Sequence, residues 1–349
     1  MSAPLAMDAW YSDRHFGHQG HIELHGGELL AGFESPVRAE RVRDAFLATG
    51  LGRVRAPDDH GLAPILAVHD ADYVDFLRQA WGLWRDSGRR HPALGLIWSP
   101  GMDVPRERPR RIDGLLGFYS LDAGCAIVEG TWEAACASAQ LAVSAARAIV
   151  QGAPAALAIC RPPGHHATAR AMAGYCYLNN AAIAAQVLRD AGLPRVAVLD
   201  IDYHHGNGTQ AIFWRRDDVF FASLHVDPHD GYPYLCGHAH EVGDGPGLGQ
   251  TLNLPLPLGT EAPAYLAALE HALDAIQARG VSAVVVSLGV DTFEHDPISR
   301  FKLRTADYPE IGRRLRRLGV PVLFAFEGGY ATGEVGANVA GVVSGFSRG

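Results

Sequence analysis

From residue 152 to its end, this 349-residue chain repeats one pattern: a short apolar run, a polar cluster, then a segment of helix length. The apolar runs cover residues 155–160, 196–202, 219–225, 284–288 and 322–326, and their near-continuous Val, Ala, Leu and Phe content is that of strands buried on both faces. Helical periodicity is read over residues 179–190, 265–279, 309–318 and 337–346. Strand and helix in alternation predict an α/β fold with a parallel sheet covered by helices on both sides. In such sheets ligands bind beyond the carboxyl ends of the strands. The polar clusters fall there: Arg161-Pro162-Pro163-Gly164-His165-His166, Asp200 through Gly208, Gly289-Val290-Asp291, and Glu327-Gly328-Gly329-Tyr330.

Ahead of this alternation, residues 36–49 read as a helix closed by Gly50, residues 69–84 as a second, and the Ala-rich stretch 133–150 as a long third. Residues 11–37, rich in Gly and His, read as a long loop without periodicity, and residues 99–113 have loop composition. No internal repeat or linker divides the chain, so residues 1–349 are expected to form a single domain. A 48% hydrophobic content suffices for a large core. The net charge of −8 argues against nucleic acid, which demands basic patches. No stretch approaches the roughly 20 apolar residues of a membrane span, and the first residues lack a basic and apolar leader pattern. Five scattered cysteines form no paired spacing, which suits a reducing compartment, so a cytoplasmic protein is expected.

The cluster Asp200-Ile201-Asp202-Tyr203-His204-His205-Gly206-Asn207-Gly208 crowds carboxylates and imidazoles at one strand end. If the strand continued, Asp200, Asp202 and His204 would point to one side, so that Asp202 and His204 could share a metal with Asp200 behind them. Asp291, at the end of another strand, is the third ligand in this reading. Two oxygens and one imidazole leave an open position, as in catalytic sites for Zn²⁺ or another divalent first-row ion. His165 and His166, after a rigid Pro-Pro-Gly turn, are a tandem pair suited to moving a proton between water and a leaving amine. Asp200 and Asn207 are available to fix their tautomers. Tyr330, following two glycines, could aim a phenol at the same carbonyl that the metal polarises.

Together these motifs resemble one family. The RPPGHH run ending at His166, the stretch from Asp200 to Gln210, the stretch from Ser287 to Pro297 and the EGGY run ending at Tyr330 are similar to the zinc-dependent deacetylases, which include histone deacetylases and acetylpolyamine amidohydrolases. The stretches from Glu23 to Leu29 and from Phe33 to Pro36 are most similar to bacterial acetylpolyamine amidohydrolases. Ala173 departs from the pattern, since many relatives carry Gly there, and residues 98–104, expected at the entrance, look unlike the bacterial relatives.

The resemblance implies a three-layer arginase/deacetylase-like fold and one Zn²⁺ per chain, with Fe²⁺ or Co²⁺ as alternatives, on Asp202, His204 and Asp291. It implies that His166 is general base and acid, that His165 is an electrostatic partner paired to Asp200, and that Tyr330 polarises the acetyl carbonyl. It further implies a structural K⁺ held by Asp200, Asp202, His204, Ser223 and Leu224, and a second monovalent site near Phe213, Arg216 and Val219. Gly174, Tyr175 and Tyr232 match positions lining the acyl-amine tunnel, and Glu23 and Asp113 are candidates for receiving a distal ammonium at its mouth. The long loop at about 11–37 is expected at a homodimer interface that narrows the site. The expected activity is hydrolysis of acetylated polyamines or similar slender amines. The rival readings are a deacetylase for acetyl-lysine in peptides or proteins and, from another class, a noncatalytic acyl-amine sensor. A binuclear manganese ureohydrolase is disfavoured by the tandem His and the EGGY run.

Overall fold

In the computed structural model, which describes residues 4–98 and 107–349, the apolar runs pair as the alternation requires. The strands in chain order are β1 (Asp8–Trp10), β2 (Ile22–His25), β3 (Glu28–Ala31), β4 (Val54–Arg55), β5 (Ala155–Ala158), β6 (Val196–Asp200), β7 (Val219–Val226), β8 (Thr251–Leu256), β9 (Ala283–Leu288) and β10 (Val322–Phe326). The helices are α1 (Pro36–Thr49), α2 (Ala63–Leu66), α3 (Ala71–Asp86), α4 (Ile112–Phe118), α5 (Thr131–Val150), α6 (Asn180–Asp190), α7 (Asn207–Phe213), α8 (Ala262–Ala278), α9 (Tyr308–Arg316) and α10 (Val335–Arg348). Eight strands form one sheet in the order β4-β1-β5-β10-β9-β6-β7-β8, and every neighbouring pair is parallel.

The two-residue side-chain period divides each central strand between two cores. Ala197, Leu199, Val284, Val286, Val322 and Phe324 face the core shared with α1, α8, α9 and α10. Val196, Val198, Val285, Leu323 and Ala325 face the other, built with α5 and α6, where small side chains such as Ala142, Ala145, Ala181 and Ala185 bring helix and sheet close. Helices therefore cover both faces, as expected, and the carboxyl ends of β5, β6, β9 and β10 lie side by side.

Several expectations are refined. The segment at about 11–37 is not a featureless loop: a 3₁₀ turn spans Asp13–Gly17, and β2 pairs antiparallel with β3. Gly26 and Gly27, with φ of 58° and 89°, make the two-residue turn that right-twisted hairpin strands favour. Strand β6 stops at Asp200 rather than at 202, because side-chain carboxylates take over the next main-chain donors. The stretch 99–113 ends in helix α4, while residues 99–106, including most of the entrance segment read from the sequence, lie outside the described residues. Strands β1, β4 and β8 went unread because they are short or at the sheet edge, where β8 also tolerates Pro255. Helix α7 was also unread.

A buried ion triad ties the N-terminal segment to the sheet. Glu34 Oε1 accepts from Arg38 Nη1 and Arg161 Nε, both at 2.8 Å, with all three side chains fully buried. Arg161 also donates to the carbonyls of His15 and His18, and Arg38 to those of Glu327 and Gly329. Burial works to raise the Glu34 pKa, but the Arg161 and Arg38 guanidiniums outweigh it and hold the carboxyl at about 2, down from 4.5. A depressed folded-state pKa contributes stability that is fully present above pH 4.5 and is lost as pH falls toward 2. Glu34→Gln should therefore lower stability at pH 7 by about 3 kcal/mol, the usual scale for breaking a buried pair. Urea unfolding at several pH values should show that the variant also loses this part of the parent's acid destabilisation.

Candidate metal centre and active site

The site grows from the ends of four adjacent strands, β5, β10, β9 and β6. Register brings Asp200 of β6 opposite Ser287 of β9, so the residues that follow in both strands meet. There Asp200 Oδ1 accepts from Asp202 N (3.1 Å), Asp202 Oδ1 from His204 N (2.9 Å), and Asp291 Oδ1 from Tyr203 N (2.8 Å). These turns, in which a side-chain carboxylate captures a nearby N–H, aim the side chains inward. Asp202 and His204 do converge, though through turns rather than along a strand.

Donor atoms of Asp202, His204 and Asp291 all lie within 4.8 Å of one another, and the three side chains are buried. His204 Nδ1 sits 3.3 Å from Asp202 Oδ1 and 3.0 Å from Asp291 Oδ2. Burial and the neighbouring Asp202 charge push the Asp291 carboxyl up to about 7. Burial opposes the charge on His204, but the two carboxylates raise it to about 9. Two carboxylates crowded in a buried space suit a cation, and this mixed oxygen and nitrogen donor set fits a divalent first-row ion. Gly328 passes so close that a Cβ there would lie 2.5 Å from both Asp202 Oδ2 and Asp291 Oδ2. Only a glycine leaves room for that approach, and its N–H donates to Asp202 Oδ2.

The tandem histidines stand beside this group with different partners. His165 Nδ1 lies 2.9 Å from Asp200 Oδ2, and His166 Nδ1 lies 2.7 Å from Asn207 Oδ1. Burial disfavours a charged His165, yet Asp202 and Asp200 override it and raise its pKa to about 10. Burial, reinforced by the His165 and His204 charges, drives His166 well below the ordinary imidazole value. The two shifts run in opposite directions, so His165 favours the charged form and His166 the neutral one.

A pocket of about 650 Å³ opens over these groups. His166, His204 and Tyr330 line it, with Gly174, Tyr175 and Tyr232 also in its wall. Tyr175 meets Tyr330 edge-on at 5.6 Å, and Tyr232 meets His166 at 4.9 Å. Burial keeps the Tyr330 phenol protonated well above its usual range, and Arg38 lies 4.5 Å over its ring.

The mouth candidates separate. Glu23, on β2, is buried in the pocket wall beside Tyr175, and burial raises its carboxyl pKa. Asp113 is absent from the pocket lining: it occupies the first turn of α4 and pairs with Arg89 at 2.5 Å, so its charge is already engaged. Two acidic wall residues were not legible in the sequence: the exposed Asp230, and Asp122, which accepts from Gly124 N, Gly174 N and the Tyr232 hydroxyl. No motif marks Asp122, because Gly174 and Tyr232, the partners that tie it to the pocket wall, lie 52 and 110 residues away.

Of the residues connected with potassium, Ser223 lies opposite Asp200 in register, and Leu224 follows it in the buried β7. Phe213, Arg216 and Val219 form a separate group in which Arg216 packs over the Phe213 ring and pairs with Asp218. Another buried group, His18, His21 and Glu34, also gathers donor atoms within 4.8 Å. Two guanidiniums already share Glu34, which leaves that group net positive and disfavours a second divalent ion.

With this geometry established, comparison with known proteins is specific. Residues 33–346 match the histone deacetylase domain. The chain is 49% identical to acetylpolyamine amidohydrolase 2 of Pseudomonas aeruginosa over 96% of this chain and 97% of that protein. It is 48% identical to acetylpolyamine amidohydrolase of Mycoplana ramosa over 96% of this chain and 98% of that protein. The crystal structure of acetylpolyamine aminohydrolase from Burkholderia pseudomallei superposes with a TM-score of 0.92 at 39% identity, covering 98% of both chains. The chain therefore belongs to the histone deacetylase family and is an amidohydrolase of that kind.

Proposed function

We propose that this protein hydrolyses the acetyl amide of acetylated polyamines or similarly slender acylated amines, releasing acetate and the free amine. The observation that carries the reading is the convergence, at the base of one pocket, of a three-donor cation site, a neutral imidazole beside a charged one, and a protonated phenol. The names of the relatives, at nearly half identity over almost the whole chain, point to the same substrates. Three acidic side chains in the wall, Glu23, Asp122 and Asp230, against one guanidinium, Arg300, favour a cationic chain over a neutral one.

Asp202, His204 and Asp291 would hold one Zn²⁺, with Fe²⁺ or Co²⁺ as alternatives. When bound, such an ion supplies Lewis acidity toward the amide carbonyl and lowers the pKa of water. His166, its Nδ1 engaged by Asn207, keeps Nε2 free to take a proton from the attacking water and return it to the departing amine. His165, held by Asp200, supplies a fixed positive charge beside it. The Tyr330 phenol donates to the acetyl oxygen as charge develops there. Gly174, Tyr175 and Tyr232 form the slot for the acyl-amine chain, and residues 1–349 act as one catalytic domain.

On the same reading a structural K⁺ lies among Asp200, Asp202, His204, Ser223 and Leu224, and a second monovalent ion near Phe213, Arg216 and Val219. The chain pairs as a homodimer through its N-terminal hairpin, which exposes Leu24, Leu29 and Leu30. It works in the cytoplasm, where its five free cysteines stay reduced. A noncatalytic sensor is disfavoured because His166 and Tyr330 are both present in the pocket wall.

Asp202→Ala and His204→Ala should each abolish turnover together with bound metal, read by elemental analysis. Tyr330→Phe should keep the metal but lower kcat roughly 10²- to 10³-fold, the loss typical of one oxyanion donor. Acetylputrescine, acetylcadaverine and acetylspermidine should be turned over faster than an acetyl-lysine peptide on metal-reconstituted protein. The reverse ranking would transfer the assignment to protein deacetylation.

A further inference from the structure

Glu327 immediately follows β10 and is fully buried, although nothing in the proposed chemistry consumes its carboxylate. Its Oε2 accepts from Gly164 N at 2.6 Å and His165 N at 3.2 Å, and Oε1 faces Ser287 Oγ at 3.3 Å. The side chain therefore grips the turn that carries both tandem histidines. Its main chain begins the loop that carries Tyr330. Arg38 donates to the carbonyls of Glu327 and Gly329, and Gly328 N donates to Asp202 Oδ2. Arg38 of α1 thus holds the loop at Glu327 and Gly329, the intervening Gly328 is tied to the cation site, and Tyr330 N is held by Asp296 Oδ2 at 2.7 Å.

We infer that Glu327 is a positioning residue that sets the separation between the proton-handling imidazoles and the phenol, by gripping one loop with its carboxylate and starting the other with its backbone. This inference rests on the hydrolytic reading above and deepens it. A buried acceptor of two main-chain N–H groups is costly to remove, since both donors are then left unpaired. A shift of the histidine turn by a fraction of an ångström would leave metal and substrate binding intact while misaligning the proton transfer.

The acceptor geometry, more than the charge, is what matters here. In Glu327→Gln the amide oxygen can still face Gly164 and His165, and the amide nitrogen can donate to Ser287 Oγ, so kcat should stay close to the parent's. Glu327→Asp keeps the carboxyl group but withdraws the acceptor by one methylene, and Glu327→Leu removes it. Both should lower kcat by roughly 10- to 100-fold, as loss of an orienting partner usually does, with KM and metal content unchanged. Hydrogen exchange of the Gly164 and His165 amides supplies a readout that needs no substrate: protection should persist in Gln and fall in Asp. If the Leu variant fails to fold, the Asp and Gln pair still decides the matter. Equal kcat and equal amide protection in Asp, Gln and parent would overturn the inference, as would a Gln variant impaired as severely as Asp. A parent inactive on every acetylated amine would instead refute the hydrolytic reading, and the amide protection would still decide whether Glu327 holds the turn.

Discussion

Buried carboxylates that accept main-chain N–H groups hold the whole carboxyl edge of the sheet in shape. Asp200 captures Asp202, Asp202 captures His204 and Gly328, Asp291 captures Tyr203, Asp296 captures Tyr330, and Glu327 captures Gly164 and His165. These bonds are shielded from water, so they are stronger than their surface equivalents. The loops carrying the reactive groups therefore need no regular secondary structure to be rigid. Strand ends supply the anchor points and side chains supply the rest.

The same carboxylates create the electrostatics that the chemistry uses. Concentrating negative charge out of water is unfavourable unless cations accompany it. His165 answers part of that demand by holding its proton, and the gap bounded by Asp202, His204 and Asp291 is fitted to answer the remainder with an ion. Burial and the charged His165 beside it keep His166, paired with an amide, in its neutral form. Structural need and reactive capacity thus arise from one arrangement. Farther out, the Glu34, Arg38 and Arg161 triad ties the N-terminal segment to the Tyr330 loop.

Much of this was legible along the chain because it is local. The helix from Pro36 to Thr49 follows from Pro at its start and Gly50, at φ 69°, beyond its end. The central strands follow from apolar runs too short for helices, and the polar clusters announce a site because they recur at strand ends. The hairpin at Gly26-Gly27 carried a turn signal of its own, obscured by the surrounding Gly and His. The Glu34 and Arg38 spacing of four residues likewise hinted at an ion pair at the start of α1. By contrast, β1 and the edge strands β4 and β8 are too short or too irregular to have a period. Asp113 and Asp122 look alike in sequence, and only their partners distinguish them: Arg89 in one case, Gly174 and Tyr232 in the other.

Sequence alone thus determined the α/β alternation, the motifs and the identity of the groups gathered at the strand ends, since residue type and spacing act over a few neighbours. Tertiary structure decided which carboxylate faces the pocket, which imidazole keeps its proton and which buried side chain fixes each loop. Those properties depend on distances and desolvation among residues far apart in the chain, as where Glu327 meets Gly164 or Asp122 meets Tyr232, and a one-dimensional pattern does not encode them.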